Sequence, residues 1–198
     1  DTLIHAFIDH THIDHMHPDA VISLCTAKRG KEIMREIYGD DAAWVDWLRP
    51  GFALAKQCGE LVHQNLQLKA ILLGKHGLIT WGETSRECYE NTISIIKQAQ
   101  EYVEHHEKRK KAFGGLQYRS LSKKERLSIA GDVLPFIRGL VSKQKRMLLH
   151  YDDAPDVLEF VNSADGKQLS QKGAACPDHL VSTKLYPMFV DVSPSDLS

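Results

Sequence analysis

None of the four cysteines, Cys25, Cys58, Cys88 and Cys176, forms a CxxC pair, and the intervals between them are wide. That excludes a zinc ribbon, and a chain of 198 residues has no need of a disulfide framework. The cysteines read as reduced thiols packed as small hydrophobes in a cytoplasmic protein. No apolar run reaches 18 residues, so the sequence offers no membrane-spanning helix. A large charge excess is also missing: the net charge is -1, with a pI near 6.9, which argues against a general nucleic-acid binder. No GxGxxG or GxxxGxG fingerprint follows a strand pattern, and no Tyr-x-x-x-Lys pair stands in a dehydrogenase-like context. No NAD site is therefore expected within this chain. There is no internal repeat and no low-complexity tract. The chain starts at Asp1 without Met or a signal peptide; "DTLIHAF" reads as the middle of a structured segment and "DVSPSDLS" as the start of a linker, so a fragment is expected.

What is present is ordinary globular material, 42% hydrophobic and 26% charged, enough to bury roughly 70% of the unfolded surface. Residues 3 to 17 lack helical periodicity, and "HIDHMH" fits a short strand. "PDAVISLCTAKRGKEIMREIYG" is helical from Pro18 to a stop at Gly39, with a possible break near Gly30. "AWVDWLRPGFALAKQCGELVHQN" is strand, turn and helix; "LKAILLGKHGLITWG" is strand, tight turn and strand. A long amphipathic helix follows, opened by a capping box of Thr84 and Glu87, with Tyr89, Ile93, Ile96 and Val103 on one stripe and the basic "HHEKRKK" at its end. Gly114-Gly115 and a charge run mark a boundary. Beyond it the pattern predicts a helix over about 122–141, a strand at "RMLLHY", a helix at "APDVLEFVNSA", and loop and strand in "GAACPDHLVSTKLYPMFVDV". The expected architecture is α/β: residues 1–112 form a central, mainly antiparallel sheet flanked by helices, and residues 113–198 a small α/β extension ending in a linker.

Chemistry concentrates in histidine. His10, His12, His15 and His17 fall within "HTHIDHMH". His15-x-His17 on a strand places both rings on one face, about 6.6 Å apart along the chain, a gap one metal ion can bridge. His10-x-His12 has the same spacing, and spacing does not choose between the pairs. A third ligand must come from elsewhere, and His76, flanked by Gly74 and Gly77 at the turn between apolar runs, is the best placed. Three histidines with an open position are a catalytic rather than structural zinc pattern. His5 and His63, in apolar-periodic surroundings, read either as packed or as neighbours of the ligand histidines, and His105 and His106 as helix-end charges. In "CPDH", Cys176 to His179, Asp178 could orient His179 in a second site; the blander reading is a loop packed on the core, turned at Pro177.

"HMHPDAVISL", "LLGKHGLITWG" and "ECYENTISIIKQAQEY" resemble the class II aldolase/adducin family over residues 1 to about 110. "RPGFALA", "DDAPDVLEFVNSAD" and "CPDHLVSTK" extend the resemblance to the branch of that family in which a rhamnulose-1-phosphate aldolase precedes a short-chain dehydrogenase. The resemblance implies that His15, His17 and His76 ligate zinc. It also implies that Asp1, four residues before His5 where the family usually carries Glu, is the catalytic acid/base, with a side chain one methylene shorter. The activity implied is cleavage of rhamnulose 1-phosphate to dihydroxyacetone phosphate and lactaldehyde, in a cytoplasmic homo-oligomer, commonly a tetramer. NAD would serve only a dehydrogenase domain outside this chain, which could make the whole protein an oxidoreductase by name. The same family holds sugar-phosphate epimerases with the same triad and non-catalytic adducin-like binding modules, and both stay open as alternatives.

Overall fold

The computed structural model describes residues 2–107 and 111–191. Asp1, the basic stretch 108–110 and the expected linker 192–198 lie outside the described residues. The chain divides into two units, residues 1–109 with 173–185, and residues 110–172 with 186–198.

In the first unit the order is α1 (Thr2–Phe7), β1 (His12–Met16), α2 (Asp19–Thr26), α3 (Gly30–Tyr38), β2 (Ala42–Val45), α4 (Phe52–Gln64), β3 (Ala70–Leu73), β4 (Gly77–Gly82) and α5 (Ser85–Glu107), joined by α9 (Pro177–Thr183). The four strands make one sheet in the order β1-β4-β3-β2. β1 and β3 pair antiparallel with β4, while β2 pairs parallel with β3 through the α4 crossover. The mainly antiparallel sheet flanked by helices is therefore as expected. The central strands β3 and β4 are buried at every position, which is why they read as continuous apolar runs rather than alternating ones.

Alternation along those strands feeds two cores. Ile71, Leu73, Ile79 and Trp81 pack with Ile4 and Ile8 and with Leu54, Ala55, Cys58 and Val62, so α1 and α4 cover one face. Ala70, Leu72 and Leu78 pack with Val21, Leu24, Met34, Tyr38, Ile95 and Ala99, so α2, α3 and α5 cover the other. At roughly 25 cal/mol per Å² of apolar area, each fully buried Leu or Ile here stabilises the fold by about 1.5–3 kcal/mol.

Several local expectations are corrected. Residues 2–7 are a helix, α1, despite their weak periodicity. The buried row of α5 is Cys88, Thr92, Ile95 and Ala99, while Tyr89 is 62% and Ile93 44% exposed. The smaller residues face inward because they let the helix lie close to the sheet. The Thr84 hydroxyl accepts from the Glu87 N–H at 3.2 Å, but the Glu87 carboxylate accepts from the Glu83 N–H at 2.9 Å, one residue earlier than a capping box requires.

The second unit is helical among its described residues. It contains α6 (Lys123–Val141), α7 (Pro155–Val161) and α8 (Gly166–Ser170). Ser122 and Glu125 close a reciprocal capping box on α6. Arg126 holds Asp153 in an ion pair at 2.8 Å, and Phe113 meets Phe160 edge-on at 5.1 Å. The strand expected at 146–151 is not formed, and the only pairing among the described residues of this unit is an isolated bridge, Leu116 to Ser163. The α/β extension is thus corrected to an α-helical one. A strand within 173–191 is likewise absent among the described residues; "PDHLVST" is α9, and residues 173–185 belong to the first unit. None of the helices among the described residues is long and apolar enough to cross a membrane.

Candidate metal centre

The site is assembled by strand register. Met16 sits opposite Leu78 and His15 opposite Ile79, so the chain leaving β1 at His17 runs alongside Gly77. Opposed residues in an antiparallel pair share a face, so His15 lies on the α1/α4 side with Ile79. The β3–β4 turn is fixed from three directions. Gly74 donates to the Val45 carbonyl at 2.8 Å, Lys75 to the Cys25 carbonyl at 2.9 Å, and His76 to the Leu73 carbonyl at 3.0 Å. Lys75 takes a left-handed backbone conformation, φ 59°, to make that turn. For a residue with a Cβ this costs roughly 1–2 kcal/mol. Gly77 is required by packing: a Cβ there would lie 2.7 Å from Cδ2 of His17.

One ligand nitrogen from each of His15, His17 and His76 falls within 4.8 Å of the others. The ring centroids are 4.8, 4.9 and 5.3 Å apart. Burial pushes all three imidazoles toward the neutral form, and for His76 burial with repulsion from His15 and His17 lowers the pKa to about 4. Among the described residues, Nε2 of His17 and Nδ1 of His76 are buried with no hydrogen-bond partner. Leaving such groups unsatisfied costs about 1–3 kcal/mol each. Neutral, convergent nitrogen donors with unused lone pairs are what a divalent cation needs, so this donor set fits a metal ion.

The cavity in front of the triad has a volume near 450 Å³. α1 contributes Thr2, Leu3 and Ile4, the start of α4 contributes Leu54 and Ala55, and α9 contributes Pro177, Asp178 and Val181. "RPGFALA" thus reaches the site through Pro50 and Gly51.

The other histidines have separate roles. His10 stacks on Trp81 and bonds Glu83 at 2.8 Å, and His12 pairs with Gly82 at the far end of β1, so this second His-x-His does not join the cluster. His5 is exposed on α1 rather than packed. His63 is exposed as well, with Nδ1 at 2.8 Å from the Gly59 carbonyl of its own helix. His106 stacks on Tyr102 at the end of α5. Asp1 lies outside the described residues. That residues 177–183 form a helix at this cavity was not legible in sequence; of the two readings of "CPDH", the structure supports the segment packed on the core, with Pro177 and Asp178 lining the triad cavity.

The fold and the site therefore define a candidate three-histidine cation centre at the rim of a sheet covered by helices. Residues 1–103 match the Class II Aldolase and Adducin N-terminal domain, and residues 128–198 match Aldolase class II, second domain. The chain belongs to the class II aldolase/adducin family. The protein of Bacillus subtilis (strain 168) named "Uncharacterized oxidoreductase YuxG" is 50% identical over 194 residues, which are 98% of this chain and 28% of that protein. The chain thus spans less than a third of that relative's length. Among solved structures, the N-terminal class II aldolase domain of a conserved protein from Thermoplasma acidophilum is 30% identical, with a TM-score of 0.48, over 52% of this chain and 46% of that one. A sugar-phosphate aldolase from Thermotoga maritima is 18% identical, with a TM-score of 0.43, over 50% and 46%.

Proposed function

We propose that this chain is the aldolase part of a bifunctional cytoplasmic enzyme that cleaves rhamnulose 1-phosphate to dihydroxyacetone phosphate and lactaldehyde. The observation that carries the reading is the convergence of three neutral imidazoles on one cavity within a class II aldolase domain. His15, His17 and His76 would hold zinc. Bound there, zinc would supply the positive charge that stabilises the oxyanion developing on the substrate. Leu3, Ile4 and Leu54 give the cavity an apolar wall beside the triad. Asp1, at the family's carboxylate position, is kept as a candidate acid/base.

The oxidoreductase name of the Bacillus subtilis relative, and the length it has beyond this chain, support a fused dehydrogenase that would oxidise the lactaldehyde with NAD. Homo-oligomerisation, by the family's habit a tetramer, is supported by uncovered apolar side chains: Tyr89 and Ile93 on α5, and Leu127, Phe136 and Leu140 on α6.

The test is release of dihydroxyacetone phosphate from rhamnulose 1-phosphate by the full-length polypeptide. Release should stop on chelation and return with zinc, and His17→Ala should lose both bound zinc and cleavage. Full activity in His17→Ala would refute the ligand set. No release from a zinc-loaded protein would move the function to another sugar phosphate or to epimerisation.

A further inference from the structure

The segment "CPDH" is not used by a three-histidine site, yet the fold delivers it there. Residues 173–185 leave the helical unit and join the aldolase unit. Cys176 is 4% exposed and anchors the segment at the start of α9. Asp178 is the second residue of α9, exposed to solvent and lining the triad cavity. Among the described residues that line this cavity, Asp178 is the only carboxylate; apart from the triad the others are apolar, glycine, proline or Thr2. Asp178 is not among the groups close enough to share a metal ion with the triad. Its position suits a group that faces the substrate rather than the metal.

We propose that Asp178 is the proton carrier of this cavity, an inference that rests on the aldolase reading above. The ionised carboxylate takes the proton of the C4 hydroxyl of the ketose 1-phosphate. The O–H electron pair becomes the new C=O bond of the aldehyde. The C3–C4 bond breaks, and its electron pair passes into the enediolate of dihydroxyacetone phosphate. After the aldehyde leaves, Asp178 returns the same proton to C3, and the carboxylate is regenerated. Nothing is oxidised or reduced, and no further reactant is consumed. A positioned acid/base of this kind contributes roughly 10²–10⁴-fold.

The second half of that cycle can be read without the sugar. The full-length, zinc-loaded protein should exchange one carbon-bound hydrogen of dihydroxyacetone phosphate for deuterium in D2O, followed by NMR. Asp178→Asn should slow the exchange at least a hundredfold while zinc content and melting temperature stay at the parent values, and Asp178→Glu should restore part of it. Exchange at the parent rate in Asp178→Asn would overturn the proposal, and would leave the proton to Asp1. Loss of zinc in Asp178→Asn would overturn it too, because the residue would then act by holding the metal. A parent protein that retains zinc but exchanges no hydrogen would refute the aldolase reading itself, whatever the variants do.

Discussion

Gly77→Ala tests how the site is built. An added Cβ would lie 2.5 Å from the Met16 carbonyl oxygen and 2.7 Å from Cδ2 of His17. The Met16 carbonyl is backbone at the end of the β1–β4 ladder, where Met16 opposes Leu78, so it cannot rotate aside as a side chain would. Relief requires β1 and β4 to separate and the His17 ring to move. Overpacking of this sort costs about 1–3 kcal/mol, or about 2–12 °C of melting temperature in a chain of this size. The displaced ring adds a second effect. Groups that merely orient a metal ligand are worth roughly 10–100-fold in affinity, and zinc affinity should fall by at least that factor. Urea denaturation of the metal-free protein reads the first effect, and zinc competition with a chromophoric chelator reads the second. Gly39→Ala is the control: its φ of +56° strains any side chain, but no atom lies within 4 Å of the added Cβ. It should lose stability and keep zinc affinity. A Gly77→Ala protein with the parent's urea midpoint and the parent's zinc affinity would refute the packing argument.

Further outcomes follow from the same structure. Thr80 and Thr92 hydroxyls meet at 2.6 Å in the core, and the Thr92 hydroxyl donates to the Asp14 carboxylate at 3.0 Å. Thr92→Val should cost about 1–3 kcal/mol by urea denaturation, because Thr80 and Asp14 lose a partner; an unchanged midpoint would contradict this. Hydrogen bonds from the Ser122 hydroxyl and backbone hold the Glu125 carboxyl below its ordinary range. A lowered folded-state pKa contributes stability that is complete above the unfolded carboxylate value and lost as pH falls through the lowered one. The α6 helix should therefore loosen on acidification, and Ser122→Ala should flatten that dependence in circular dichroism. Burial pushes Cys25 up to about 12 and Cys58 and Cys88 up to about 11. Their thiols should react with a disulfide reagent only as fast as the chain unfolds; rapid labelling of all three in the native protein would contradict the core assignment.

Local chemistry was written plainly in the chain. The β3–β4 hairpin, the α4 helix and the three histidines were legible because each rests on neighbouring residues: doubly buried strands give unbroken apolar runs, and Gly74 and Gly77 announce the tight turn around His76; the parallel pairing of β2 with β3 that makes α4 a crossover was not. Choosing His15 and His17 over His10 and His12 needed either family resemblance or the register of β1 on β4, since the two pairs are identical in spacing. α1 and α9, of six and seven residues, were not legible, because so short a helix has little period to read and is stable only through packing. The buried face of α5 was misjudged for a related reason: periodicity finds apolar rows, but only the distance to the sheet decides that Cys88 and Ala99 face inward. The return of residues 173–185 to the aldolase unit, which brings Asp178 to the histidines, is a contact across about a hundred positions of sequence. No local pattern encodes such a contact; it exists only where the energy of packing has met the entropy of closing the intervening chain.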